Sequence, residues 1–248
     1  MDFWQYFIDT SEDVNGTGNM CNTVIYKAVP YKKKHEANYC VLYDAERNVI
    51  QVHFQKTCGK QDWKDNFNFP KELYDTFTYG RKPVKMYVHS GWGEMYKAVK
   101  HDMHVDFERE QRAHPTAKVE CIGWSLGSAL AQLAVQDLNW KYGRRPDCYT
   151  FGSVKPFYIK DKLVREYLDS CGNVIYNFCH RSDIVTYQPP FPKYEMLRRV
   201  DVGEYAFARL FDPWRWHTCY DRLYIYAGVE KNIKKSSQNL TFPRLGML

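Results

Sequence analysis

Ser125 stands in Gly123-Trp124-Ser125-Leu126-Gly127, a G-x-S-x-G arrangement. A serine hydroxyl is a weak nucleophile and needs a base, itself oriented by a third group. Small residues at 123 and 127 suit a serine on a sharp strand-to-helix turn, where strand and helix approach closely and the side chain projects. The sequence on either side fits: "AKVECIGW" (117–124) is β-prone and apolar, and "LGSALAQLAVQDLNWKYG" (126–143) is helical and closed by Gly143. That helix would aim its positive end at Ser125 and offer the Leu126 N–H to an oxyanion. In this arrangement the acid and then the histidine follow the serine along the chain. Asp183 ends the strand-like run "NVIYNFCHRSD" (173–183), and His217 is the one histidine beyond it. The histidines at 35, 53, 89, 101, 104, 114 and 180 all precede Asp183; among later acids, Asp201 falls in an expected hairpin, and Asp212 and Asp221 are close sequence neighbours of His217. Chain order therefore selects Ser125, His217 and Asp183 as nucleophile, base and acid. His89, near a strand end, is read as a structural hydrogen bond tying that end to the turn at Ser125.

The elements that must hold these groups are visible as periodicity. Residues 22–29 read as a first strand, and "ANYCVLYD" (37–44) and "RNVIQVHFQ" (47–55) as a hairpin. Residues 56–72 read as a long loop, and "KPVKMYVHSG" (82–91) as a strand ending at glycine. In 92–114, Met95, Val99, Met103 and Phe107 form one helical stripe that Pro115 ends. Strand and turn over 145–153, a helix over 158–172 and a strand over 173–183 follow. Residues 197–211 read as a final hairpin and 214–229 as a helix. From residue 82 onward strands and helices alternate, which predicts an α/β fold with a mostly parallel central sheet, helices on its faces and antiparallel strands at the N-terminal side. Reactive groups in such sheets collect at the carboxyl ends of strands, where Ser125 and Asp183 fall.

Composition narrows the class. A chain of 248 residues with 17% aromatics can bury one large core, so 1–248 is read as a single domain with its core over about 38–229 and a basic tail at 230–248. The net charge of +6 is mild, and its densest runs, 31–35 and 230–237, read as solvated loops or tails. With no basic stripe and no recognition motif, nucleic-acid binding is excluded. The eight cysteines show no C-x-x-C or zinc spacing, and Cys121, Cys148 and Cys179 sit in apolar strand-like runs, as buried free thiols do. The first residues, "MDFWQYFIDTSED", lack a basic region followed by an apolar one, and no apolar stretch approaches 18 residues. These features point to a cytoplasmic protein. No metal or cofactor is called for.

The chain resembles the class 3 lipase family, the fungal triacylglycerol lipase-like branch of the α/β-hydrolases. Five blocks carry the resemblance in order: "FQKTCGKQDW" (54–63), "VHSGWGEMY" (88–96), "GWSLGSALA" (123–131), "TFGSV" (150–154) and "DIVTYQPP" (183–190), followed by His217. The resemblance implies an α/β-hydrolase fold, the roles already given to Ser125, Asp183 and His217, and an oxyanion hole from the Leu126 amide and the Thr57 region. Each such donor contributes about 3 kcal/mol. Departures from the family pattern are Gln55-Lys56 where the family has Arg-Gly, Trp124 for His, Ser128 for Gly (a small-for-small change) and Val154 for Pro, with Pro156 two residues on. The Asp183-to-His217 spacing is also shorter than in the fungal enzymes, and a small lid or none is expected.

The implied activity is hydrolysis of carboxylic esters of lipids by a serine hydrolase through an acyl-enzyme. Trp92, Trp124 and Tyr96 could line an acyl groove or belong to the core. The alternatives are a phospholipase or acyltransferase at a membrane surface, and a catalytically impaired binding protein on the same scaffold. The expected partners are a lipid or ester substrate and, transiently, a membrane or lipid-droplet surface.

Overall fold

The structure is a computed structural model that describes residues 26–32, 35–55, 69–203, 216–217 and 220. Its main sheet is built from β1 (Lys27–Lys32), β2 (His35–Asp44), β3 (Val49–Phe54), β6 (Lys118–Trp124), β7 (Asp147–Phe151), β9 (Ile175–His180) and β11 (Arg199–Val202). Among the described residues these run in the order β1-β2-β3-β6-β7-β9-β11. The β1–β2 and β2–β3 pairs are antiparallel, and every pairing from β3 onward is parallel. The mostly parallel sheet is the one expected from the alternation of strands and helices, and it agrees with the α/β-hydrolase fold that the resemblance implies.

The central strands are apolar on both faces, as parallel strands covered on two sides must be. Val119, Cys121, Cys148 and Ile175 join one core, with helices α1 (Ser90–Ala113) and α2 (Leu126–Tyr142). Ile122, Trp124, Tyr149, Phe151, Tyr176 and Phe178 point the other way, into a second core with Val200, Val202 and Tyr220. Helix α2 is buried over Leu126–Leu138 and stops where Gly143 turns left-handed, at φ 64°. Helix α1 buries the expected stripe of Met95, Val99, Met103 and Phe107. A third helix, α3 (Lys162–Cys171), starts at Asp161, whose carboxylate accepts the Val164 N–H at 3.1 Å. Cys40, Cys121, Cys148, Cys171 and Cys179 are buried free thiols; burial pushes Cys40 up to about 11 and Cys171 and Cys179 to about 12. No helix among the described residues is long and apolar enough to cross a membrane.

One expectation is corrected. The stretch read as a loop to residue 72 gives way at Lys71 to a strand, β4 (Lys71–Tyr79), which pairs antiparallel with β5 (Lys82–His89). A register shift between Leu73 and Asp75 breaks the alternation that would have revealed it. With β8 (Phe157–Tyr158) and β10 (Tyr194–Glu195), these strands form a separate antiparallel sheet, so β5 does not join the main sheet. Of the stretch 197–211, expected as a hairpin, the described part forms β11, which pairs parallel with β9 and is the last strand of the main sheet among the described residues; its buried Val200 and Val202 supply the alternation. Residues 204–211 lie outside the described residues, as does the expected helix over 214–229 apart from helical Trp216 and His217.

Candidate active site

Ser125 occupies the junction of β6 and α2 with φ 52° and ψ −120°, a conformation that costs a non-glycine residue about 1–3 kcal/mol. The Ser125 N–H donates to the Phe151 carbonyl at 2.9 Å, and its own carbonyl accepts the Ser128 N–H at 2.9 Å. Both flanking glycines are required by close approach. A Cβ on Gly123 would lie 2.2 Å from the Gly127 carbonyl oxygen, and one on Gly127 would lie 2.3 Å from that of Phe54. The chain thus leaves β3 directly beside the serine turn. Thr57, expected in the oxyanion hole, lies outside the described residues. Leu126 opens α2, so its amide is among those a helix leaves without an intrahelical acceptor.

The residues selected by chain order meet. His217 Nε2 lies 2.8 Å from Ser125 Oγ, and His217 Nδ1 lies 2.9 Å from Asp183 Oδ2. All three are buried, Ser125 retaining 6% and Asp183 none of its accessible surface. Asp183 sits beyond the end of β9 and caps a short 3₁₀ turn, Ile184–Tyr187, its Oδ1 accepting the Val185 N–H at 2.9 Å. A backbone carbonyl cannot hold a carboxylate, so these donors do: the Tyr220 hydroxyl donates to Oδ2 at 2.8 Å and itself accepts the His180 N–H at 2.7 Å. The imidazole of His217 fits because position 152 has no side chain. A Cβ on Gly152, at φ +55°, would lie 2.8 Å from His217 Cε1. Trp124, where the family has histidine, donates its indole N–H to the His217 carbonyl at 3.3 Å.

Sequence reading assigned no supporting role to three of these residues. Tyr220 and Gly152 contact the site from outside the serine motif. Ser128, read as a small-for-small replacement, donates to the Ser125 carbonyl at 2.5 Å and accepts the Val154 N–H at 3.0 Å, stitching the turn to the segment after β7. Buried Gln132 extends this link, its amide nitrogen donating to the Ser128 and Val154 carbonyls at 3.1 Å each. The three aromatics weighed for an acyl groove or the core are all buried, in two different clusters. Trp92 and Tyr96 pack in the α1 and α2 core, where Tyr96 Oη donates to Asp137 at 3.0 Å, and Trp124 faces the opposite core. His89 caps α1, its Nδ1 accepting the Trp92 N–H at 3.3 Å with the two rings stacked at 3.9 Å.

Comparison with known proteins gives the relationship. The family described as Lipase (class 3) matches residues 51–193. A Rhizopus niveus lipase is 34% identical over 117 residues, 44% of this chain and 28% of that protein. A secreted mono- and diacylglycerol lipase of Fusarium solani is 27% identical over 150 residues, 60% of this chain and 42% of its own. The chain therefore spans well under half the length of these curated relatives. Among solved structures, lipase II from Rhizopus niveus aligns with a TM-score of 0.60 at 21% identity, covering 80% of this chain and 78% of that one. MDLA from Penicillium cyclopium aligns with a TM-score of 0.66 at 15% identity, covering 84% and 81%. The match from Gln51 to Lys193 takes in more than half the chain, including Ser125 and Asp183, and the protein belongs to the class 3 lipase family.

Proposed function

We propose that the protein is a serine hydrolase that cleaves carboxylic esters of lipids. The observation that carries this reading is the continuous hydrogen-bonded line Ser125–His217–Asp183, at 2.8 and 2.9 Å, set on a strained strand-to-helix turn. In this reading Ser125 Oγ attacks the ester carbonyl while His217 Nε2 takes its proton. His217 then gives that proton to the leaving alcohol, and an acyl-enzyme remains. Water, deprotonated by the same imidazole, releases the acid. Asp183, held by Val185 and Tyr220, keeps the Nδ1 proton in place and stabilises the imidazolium. The Leu126 amide at the positive end of α2 faces the charge that develops on the carbonyl oxygen, and the Thr57 region supplies the second donor. The relatives named as lipases support the choice of a lipid ester over other acyl compounds.

The test is a series of p-nitrophenyl esters from short to long acyl chains, run on the wild type and on Ser125→Ala, with intact mass measured after a serine-directed phosphonate. Hydrolysis and one phosphonyl adduct in the wild type, both absent from Ser125→Ala, are expected. Equal rates for the two proteins would remove Ser125 from the mechanism. A wild type that neither turns over esters nor gains mass would leave a binding protein on a lipase scaffold.

A further inference from the structure

The small antiparallel sheet turns one face to solvent, and that face is chemically unusual. Directly opposed residues in a sheet project to the same side. The register pairs Leu73 with Tyr87, Tyr87 with Tyr158 and Tyr158 with Tyr194, so an apolar and aromatic row crosses the sheet from β4 to β10, open at Leu73, part-exposed at Tyr87 and Tyr158, and covered at Tyr194. Leu73 keeps 47% of its surface exposed, and Phe191, in the loop leading into β10, also 47%. Pro190 and Pro192 on either side of Phe191 are exposed as well. Phe69, Tyr158, Phe191, Pro192 and Tyr194 line a groove of about 610 Å³.

Cations frame this apolar surface. Lys71 Nζ lies 4.0 Å from the centre of the Tyr158 ring and 5.6 Å from that of Tyr87, and Lys193 Nζ lies 5.9 Å from that of Tyr158. Lys85 projects from β5 on the same side as Tyr87. Among the described residues, none of these three lysines is ion-paired, although many cations elsewhere are, such as Lys97 with Glu72 and Lys100 with Asp137. A hydrogen bond from Lys71, with the Lys193 ammonium beside it, holds the Tyr158 phenol below the usual tyrosine range.

We propose that this face, with Phe191 at its edge, docks the protein on a bilayer bearing anionic phospholipids. Tyrosine and lysine together suit the headgroup layer: the ring and the lysine stem sit among apolar atoms while hydroxyl and ammonium stay with phosphate and water. A net charge of +6 adds a long-range attraction to the same surface. An apolar partner groove alone would not need three unpaired cations around it, and phosphate oxygens supply their complement. The proposal rests on the lipid-ester reading only for its purpose, because docking is measured without turnover.

Sedimentation of the full chain with vesicles of phosphatidylcholine alone, or mixed with phosphatidylserine, tests it. The wild type is expected to partition preferentially onto the mixed vesicles and to leave them as salt rises. A lysine near an anionic surface is worth about 1 kcal/mol, roughly fivefold in partitioning, so the double variant Lys71→Gln/Lys193→Gln should bind mixed vesicles about thirtyfold less well. Phe191→Ser should weaken binding to both compositions. All variants change exposed side chains and should keep the wild-type melting temperature and rate on a water-soluble short-chain ester. Equal partitioning onto both vesicle types, or wild-type binding by the double variant, would overturn the proposal. So would a protein that ignores vesicles but sediments as a dimer dispersed by Phe191→Ser, since the face would then bind a second copy. Loss of all ester hydrolysis in the wild type would count against the catalytic reading and leave the vesicle result standing.

Discussion

Replacing Gly152 by alanine isolates the demand that the site places on His217. The new Cβ would lie 2.8 Å from His217 Cε1 and 3.0 Å from Nδ1, against 3.4–4 Å for ordinary contact. The ring must therefore retreat by roughly 0.5–1 Å, since protein interiors have no slack to absorb the overlap. The Nε2 to Ser125 Oγ distance, 2.8 Å at rest, then passes beyond hydrogen-bond range. A misplacement of about 1 Å costs on the order of 10²-fold in rate. Backbone strain is a separate effect: φ of +55° costs an alanine about 1–2 kcal/mol in stability whatever its surroundings. Gly143→Ala controls for it, because Gly143 has φ +64° but nothing within 4 Å of the added carbon. Steady-state kinetics on a p-nitrophenyl ester, with thermal melts of both variants, read the two terms apart. Gly152→Ala should lose about 100-fold in kcat, while Gly143→Ala should melt lower by a similar amount yet turn over at the wild-type rate. A Gly152→Ala protein with near wild-type kcat would refute the claim that His217 works from this position.

Three further outcomes test other links. Tyr220→Phe takes a donor from buried Asp183 and the acceptor from the His180 N–H, so stability should fall by about 2–4 kcal/mol and kcat by about tenfold, with KM little changed; an unaltered kcat in a folded variant would free Tyr220 of any positioning role. Ser128→Ala leaves the Val154 N–H without its 3.0 Å acceptor and should cost about 1–3 kcal/mol, a melting temperature lower by about 2–4 °C per kcal/mol; no change would show that the link to the segment after β7 is idle. Burial holds His53 neutral down to about pH 3, against 6.5 when exposed, so the unfolded chain binds the extra proton between those values. Stability is then fully present above pH 6.5 and declines as pH falls, by about 2 kcal/mol at pH 5; His53→Leu should flatten that part of the urea-midpoint profile, and an unchanged slope would assign the acid sensitivity elsewhere.

Much of this molecule was legible in one dimension because its rules are local. The Ser125 turn announces itself through glycines that must lie against backbone at 2.2 and 2.3 Å. The α1 stripe and the doubly apolar β6, β7 and β9 follow directly from helical and strand periods. Chain order then brought Asp183 and His217 to the serine without any knowledge of distance. The second sheet was hidden because β4 carries a register shift, and a pattern of period two loses its phase at such a point. The partner of β11 was not legible, because an outer strand and a hairpin arm alternate identically and only the parallel pairing with β9 shows where it lies.

The sequence by itself determined the turn at Ser125, the two residues that chain order assigns to it and the α/β architecture, since each is written in spacing between near neighbours or in the order of elements. Only the tertiary structure decided what surrounds them. Whether Trp92, Tyr96 and Trp124 share a groove depends on which side of a sheet each faces, and the fold puts them in different cores. That Tyr220 holds Asp183, that Gly152 makes room for His217, and that Ser128 fastens the turn all depend on contacts between elements distant in the chain. Hydrogen bonding and excluded volume act over a few ångströms of space, and sequence separation carries no record of them.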